Sequence, residues 1–236
     1  MGLAVSGGTL YVANQGNDST VGTVSAYNAN SGKPDAVPLV SGLSKPTGLA
    51  VSGNTLYVSS FTTNGTVTAY NANTGAPASA PWTNITTGLF RPTGLAVAGS
   101  TLYVAQFGPA PGQGSVTAYN ANTGVPSSIF TPIQNLGMPT GVVATGNTLY
   151  VSDQLNGTVG FYDATSGSAL SVNGVSSISG LDSPAGLVIV NRGTTLFVAN
   201  SMNGTVSECK VKTGAVSVAN FISGLHGPSG IAVKNQ

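Results

Sequence analysis

The stretch "GLAVSGNTLYVSSFTTNGTVTAYNANTG", residues 48–75, contains three short apolar segments separated by turns rich in Gly and Asn. The segments "GLAV", "TLYV" and "GTVTAY" are rich in β-branched and aromatic residues, and each is too short for a stable helix. The intervening "SGN" and "TNG" are typical of hairpin turns. This stretch therefore predicts consecutive antiparallel β-strands.

Closely similar stretches recur along the whole chain at intervals of about 45 residues, and a fourth, weaker apolar segment such as "FISGL" ends each unit. The first strand of each unit begins at a glycine: Gly2, Gly48, Gly94, Gly141, Gly186 and Gly230. Four strands in a period of this length predict a β-propeller, an all-β fold in which each repeat forms one blade. The predicted blades comprise residues 2–47, 48–93, 94–140, 141–185 and 186–229.

The segment "GIAVKNQ", residues 230–236, matches the inner strand of a sixth unit that does not continue. We favour a single domain of five four-stranded blades. The alternative is a six-bladed ring completed by sequence that this chain does not contain. The repeat pattern alone leaves the mode of ring closure open.

The segment that begins at Pro46, "PTGLAVSGNTLYVSSFTTNGTVTAYNANTG", resembles the NHL and YVTN classes of propeller repeat, and the resemblance extends over the whole chain. It implies a propeller fold, but such repeats serve in binding platforms, lyases, lactonases and cell-surface proteins alike. The chain departs from the NHL pattern in two ways. The acidic residue that often follows the second strand is present only as Asp153, and the basic residue before the third strand is replaced by Gly-Thr or Gly-Ser.

Polar residues follow the second strand of every unit, at the face where the loops of a propeller gather around its central channel. We call these five residues the mouth ring: Asn14, Ser60, Gln106, Asp153 and Asn200. The loops that follow differ in length and add Gln15, Phe61, Phe107 and Gln154. An amide-rich mouth with a few aromatic side chains suits a neutral glycan, a peptide or another protein. The competing explanation is that the polar side chains bond the backbone of nearby turns.

The chain has 7 basic and 6 acidic residues and a net charge of +1. Nucleic acid is therefore excluded as a partner, because phosphate recognition depends on clustered Lys and Arg. A surface so poor in charge but rich in Ser, Thr, Asn and Gly favours an extracellular or cell-surface protein. The chain shows no export signal, since "MGLAVSGGTLYV" leads directly into the repeat. No segment is apolar for long enough to predict a transmembrane span, and the oligomeric state is not indicated.

Residues suited to catalysis are scarce, because the chain contains one His, His226, and one Glu, Glu208. General acid-base catalysis needs two titratable groups within reach of each other. The sequence therefore favours a non-enzymatic binding or scaffold protein without a cofactor. The alternative is a metal-assisted lyase or hydrolase with a weak Ca²⁺ or Mg²⁺ site at Asp153, aided by Asn14 and Asn200.

The repeat also predicts two features of the core. The leucine of each second strand should be buried at an equivalent position; these are Leu10, Leu56, Leu102, Leu149 and Leu196. Cys209 replaces the tyrosine that ends the third strand of the other units, and we expect a small buried side chain without a reactive thiolate.

Overall fold

Nineteen β-strands, one short 3-10 turn (Asn191–Gly193) and no α-helix make up the regular structure of residues 2–17 and 21–234, which this computed structural model describes. The strands form five antiparallel sheets, each built from consecutive strands. The sheets surround a central channel as the blades of a propeller, with the first strand of each sheet innermost. The predicted five-bladed all-β propeller is confirmed.

Blade one comprises β1 (Leu3–Ser6), β2 (Thr9–Asn14), β3 (Gly22–Asn28) and β4 (Pro34–Leu43). Blade two comprises β5 (Pro46–Ser52), β6 (Thr55–Ser60) and β7 (Thr66–Asn71), and its fourth strand is reduced to bridges of Val67 with Ile85 and Tyr70 with Pro77. Blade three comprises β8 (Pro92–Ala98), β9 (Thr101–Gln106), β10 (Gly114–Asn120) and β11 (Ile133–Leu136). Blade four comprises β12 (Pro139–Thr145), β13 (Thr148–Asp153), β14 (Thr158–Asp163) and β15 (Ser177–Ile178). Blade five comprises β16 (Pro184–Val190), β17 (Thr195–Asn200), β18 (Thr205–Lys210) and β19 (Ala215–Ile222).

A tight turn joins the first two strands of a blade, as the sequence predicts. In blade two, Ser52 pairs with Thr55, so only two residues form the turn. Gly53 has a φ of 55°, a left-handed conformation that such hairpins require and that glycine adopts without steric cost.

The inner strands approach one another so closely that glycine is required near their start. A Cβ on Gly48 would lie 1.9 Å from the carbonyl oxygen of Thr93 in the next blade. The hydroxyl of Ser59 accepts a hydrogen bond from the Gly48 N–H at 2.8 Å and donates one to the Thr93 oxygen at 2.7 Å. Ser152 links Gly141 to Ala185 in the same way. These contacts set the distance between neighbouring blades at the channel.

The hydrophobic core lies between the blades. In blades one to four, the tyrosine of the second strand faces the following blade, and the leucine and valine of that blade face back; Tyr57, for example, packs in one cluster with Leu102 and Val104. The Tyr57 hydroxyl donates to the carbonyl oxygen of Ala121 at 2.7 Å, and Tyr103 bonds Ala164 likewise at 2.6 Å. Burial in these junctions raises the pKa of both phenols.

The five core leucines occupy equivalent registers, because each pairs with the penultimate residue of the third strand of its own blade. Leu56, Leu102, Leu149 and Leu196 are fully buried. Leu10 is only half-buried, so the prediction is wrong for blade one: its leucine faces a side on which no complete blade lies. Cys209 is fully buried, and desolvation raises the pKa of its thiol to about 12.

Gly230 and Ile231 line the channel at the inner-strand position, but within the described chain residues 230–234 pair with no second strand. The predicted partial strand is therefore an extended segment, because an inner strand of this fold pairs with the second strand of its own blade. Residues 235 and 236 lie outside the described residues. In the described part of the chain, no helix is long and apolar enough to cross a membrane.

Candidate binding mouth

The mouth-ring residues lie where the second strands end, as predicted, but their polar groups are directed into the protein. Asp153 is the clearest case, with 4% of its surface exposed. Its carboxylate accepts hydrogen bonds from the N–H groups of Gly137 at 2.7 Å and Met138 at 3.0 Å, and from the Asn156 side chain at 2.8 Å. Asp153 thus ties the loop that enters blade four to the turn after β13.

The amides of the mouth ring make similar local contacts. Gln106 accepts from the Phe90 N–H at 2.8 Å and donates to Ser115 at 2.9 Å. Asn200 donates to the hydroxyls of Thr205 at 3.1 Å and Ser207 at 2.8 Å. Asn14 donates to Thr23 and Ser25, both at 3.3 Å. Ser60, the remaining member, is also buried.

The residues that follow the mouth ring lie at the surface of the channel mouth. We call them the rim positions: Gln15, Phe61, Phe107, Gln154 and Ser201. The backbone N–H groups of the rim positions in blades two to five are held alike, since Phe61 donates to the carbonyl of Lys45 at 2.9 Å, Phe107 to that of Arg91 at 3.3 Å and Gln154 to that of Met138 at 3.1 Å. Ser201 donates to Ser183 at 3.1 Å. The equivalent backbone bonds show that these rim positions are repeated blade by blade.

Side chains at the rim positions connect neighbouring blades. The rings of Phe61 and Phe107 meet edge to face with centroids 5.4 Å apart. The Gln15 side chain donates to the Thr47 hydroxyl at 2.8 Å, and that of Gln154 donates to the Ser201 hydroxyl at 3.3 Å. The rim therefore has an aromatic half on blades two and three and a polar half on the other blades.

Sequence analysis did not identify two cations, Lys45 and Arg91, that lie on the aromatic half. Both are exposed, and both have left-handed backbone conformations with φ of 45° and 49°. The Arg91 guanidinium lies over the Phe90 ring at 5.3 Å, a cation–π contact. Aligning the repeats would have found both residues, because each directly precedes the proline that begins an inner strand. The same alignment would have found Ser201, which directly follows the mouth-ring residue Asn200.

Depressions at the mouth differ greatly in size. The channel is a cavity of about 110 Å³, smaller than the several hundred Å³ of a typical ligand pocket. A groove of about 480 Å³ lies beside Gln154 between blades four and five, where its walls include Leu155, Asp182 and Met202. Leu155 is 56% exposed and Met202 79% exposed. The mouth therefore offers apolar surface at its rim rather than in a deep pocket.

Titratable groups are dispersed over the molecule. Within residues 2–17 and 21–234, no three His, Cys, Asp or Glu side chains are grouped so as to hold a metal ion. Glu208 lies on the third strand of blade five, where a hydrogen bond from Lys210 lowers the pKa of its carboxyl. Hydrogen bonds from Ser166 foremost lower the pKa of Asp163 in an exposed turn. His226 is exposed in the loop before residue 230, and Asp18 lies outside the described residues.

Comparison with known proteins supports the fold and gives a family. The family model described as outer membrane protein assembly factor BamB matches residues 37–233, and a model of the LVIVD repeat matches residues 1–22. No curated protein matches the chain in sequence.

Two solved structures illustrate the structural likeness. A chain in the crystal structure of a nidogen/laminin complex aligns with a TM-score of 0.74 at 14% identity, over 98% of this chain and 83% of that chain. The computationally designed Ika4 protein aligns with a TM-score of 0.53 at 15% identity, over 70% of this chain and 91% of that chain. At such identities the likeness carries the fold and not the ligand.

Proposed function

Because the chain belongs to the family described as outer membrane protein assembly factor BamB, we propose that it is a non-enzymatic binding propeller whose mouth contacts a protein or peptide partner. We also propose that its repeats are of the NHL and YVTN types, which "PTGLAV" and "TLYV" resemble. The description of the family and the low charge of the chain support an exported protein at the cell surface or outside the cell.

The observation that carries this proposal is the Phe61–Phe107 pair. Both rings occupy rim positions, both are half-buried, and neither position demands an aromatic residue, since the equivalent residues are Gln15, Gln154 and Ser201. Half-exposed aromatic side chains are typical of the residues that dominate protein interfaces. Lys45 and Arg91 flank the pair and would contact the carbonyl or acidic groups of a partner.

A metal-assisted lyase or hydrolase is the second candidate, centred on Asp153. Its carboxylate already accepts hydrogen bonds from Gly137, Met138 and Asn156, and a cation would have to displace these donors. We therefore favour binding over catalysis. A thermal-shift series with Ca²⁺, Mg²⁺ and EDTA distinguishes the two, because saturation at one hundred times the dissociation constant stabilises the native state by about 2.7 kcal/mol.

The experiment that tests the mouth uses a displayed peptide library and a glycan array as probes of the purified chain. The variant Phe61→Ala/Phe107→Ala is compared with Val125→Ser, which alters an exposed residue in the turn after β10 of blade three. We expect the rim variant to weaken binding of selected peptides at least tenfold, which corresponds to about 1.4 kcal/mol, and the control to leave it unchanged. Melting temperatures verify that both variants fold.

Three outcomes would contradict this proposal. Unchanged affinity in the rim variant would place the site elsewhere, and protection of the outer segment of blade two around Trp82 would indicate that the protein binds through its side. Binding to glycans alone would identify the polar half of the rim as the recognition surface, which Gln15→Ala and Gln154→Ala would then test.

A further inference from the structure

The channel wall has six segments although the chain forms five blades. Residues 229–231 follow blade five and line the channel beside Gly186 and Leu187. A Cβ on Gly186 would lie 2.8 Å from the carbonyl oxygen of Ser229, which repeats the contact of Gly48 with Thr93. This segment therefore occupies the inner position of a sixth sector.

The face of blade five that borders this sector is incompletely covered. Tyr57, Tyr103 and Tyr150 are 2–3% exposed in the other junctions, whereas Phe197, at the equivalent position, is half-buried. Phe197 packs against Phe221 with ring centroids 4.9 Å apart, and Phe221 itself is 51% exposed.

The outer strand of blade five is exposed along most of its length. Val218 and Ile222 are 43% and 45% exposed, although alternating apolar residues of this kind normally face a covered side of a sheet. Blade five thus presents an apolar face without a following blade.

The face of blade one on the other side of the sector is also incompletely buried. Leu10 and Val12 are half-buried, whereas their equivalents Leu102 and Val104 are fully buried against blade two. The side chain of Lys234 donates to the Asn30 side chain of blade one. The extended segment thus reaches blade one and leaves the outer part of the sector open.

We propose that the sector between blades five and one is a docking site for a further β-sheet of the same repeat, carried by a partner segment that pairs with Ile231–Lys234. The four existing junctions between blades support a β-sheet as the occupant. The open faces of blades five and one carry the same strand positions that bury each other in those junctions. An incoming second strand forms backbone hydrogen bonds with Ile231–Lys234 and covers Phe197 and Leu10.

Glu208 constrains what the sector accepts. It stands at the position of Ala26 in blade one, and Ala26 packs in one cluster with Leu56 and Val58 of the next blade. A second copy that docked its blade-one face here would bring Leu10 and Val12 against the carboxylate. The docked sheet instead carries a hydroxyl or cationic side chain opposite Glu208, which already contacts Lys210 and Ser217.

The test supplies the missing sheet from the chain itself. Residues 94–100 correspond to residues 230–236, so a second copy of residues 101–138 is appended after Gln236, with its Leu102 copy changed to Thr to suit Glu208. The matched control carries Asp at the copies of both Leu102 and Val104. We expect the extended chain to remain monomeric and to melt at least about 5 °C above the native chain. Backbone amides of residues 231–234 should exchange at least tenfold more slowly, and the control should show neither effect.

Other outcomes would overturn the proposal. If the extended chain and its control melt and exchange alike, the sector does not accept a sheet. If residues 215–222 and 231–234 of the native chain are already protected in a monomer, the sector is closed. If the native chain is a dimer that protects these residues, a second copy is the occupant. None of these results bears on the rim aromatics, so the proposed function is tested separately.

Discussion

The junction between blades two and three differs from the open sector although the same strand positions form both. In the junction, Tyr57 and Leu102 are buried against each other and the Tyr57 hydroxyl bonds the backbone of the next blade. In the open sector, Phe197 lacks a hydroxyl and Leu10 is half-buried. The comparison teaches that each repeat encodes two blade faces able to form an interface. Whether the second-strand side chains on those faces become buried depends on the presence of a neighbouring blade.

The largest expected difference between the two regions concerns the core leucines. Leu149→Ala should lower the free energy of unfolding by about 2 to 5 kcal/mol, because it leaves a cavity in a fully packed junction. Leu10→Ala should cost less than half as much, since its side chain is already partly in contact with water. Urea denaturation measures both variants, and equal losses would contradict the inferred exposure of blade one.

The covered face of blade five, unlike the open one, should be protected from chemical modification. Cys209 lies on the covered face, where burial raises the pKa of its thiol to about 12, so a thiol reagent at pH 8 meets a buried and protonated group. We expect labelling of the native protein to be at least tenfold slower than that of the urea-unfolded chain. The raised pKa favours the folded state below the ordinary cysteine pKa, and this contribution is lost as the pH rises towards 12. Fast native labelling would show that this face opens.

The tyrosine hydroxyls should matter only where a following blade accepts their hydrogen bond. Tyr103→Phe removes the donor to the Ala164 carbonyl and should cost about 0.5 to 1.5 kcal/mol. Phe197→Tyr introduces the same hydroxyl next to the open sector and should change stability by less than about 0.5 kcal/mol. Thermal unfolding of the pair checks this contrast, which fails if the two changes have effects of equal size.

The smallest effect is expected at the exposed outer strand. Phe221→Ser should change the free energy of unfolding by less than about 1 kcal/mol, because its ring is 51% exposed and contacts mainly Phe197. The same change at Phe130 of blade three, a buried ring that packs against Tyr103, should cost several times more. Comparable losses would mean that the outer strand of blade five is covered in solution.

The fold was predictable because each repeat carries the same local signals. Hairpin turns such as that at Gly53, and the alternation of Leu56 and Tyr57 between two faces, determine the strands and their register. Ring closure was not predictable, because no sequence signal within a repeat determines how many blades surround the channel. The partial exposure of Leu10 follows from that global property.

The candidate site was predictable only in part. The sequence places polar residues after each second strand, and the structure confirms that position. It could not predict that Asp153 turns inward, because its partners Gly137 and Met138 belong to the loop that enters the same blade from the preceding one. A serine at residue 201 gives no signal by residue type, whereas its backbone bond to Ser183 shows that its position is equivalent to those of Phe61 and Phe107.

The glycines of the channel wall determine which parts of this protein are free to vary. Because a Cβ on Gly48 would lie 1.9 Å from the Thr93 oxygen, this position of the channel wall admits no side chain. Evolution or a designer must therefore change recognition at positions other than these glycines. Residues 15, 61, 107, 154 and 201 form five such positions at equal places in the repeat, so a library randomised there would vary the contact surface without altering the scaffold.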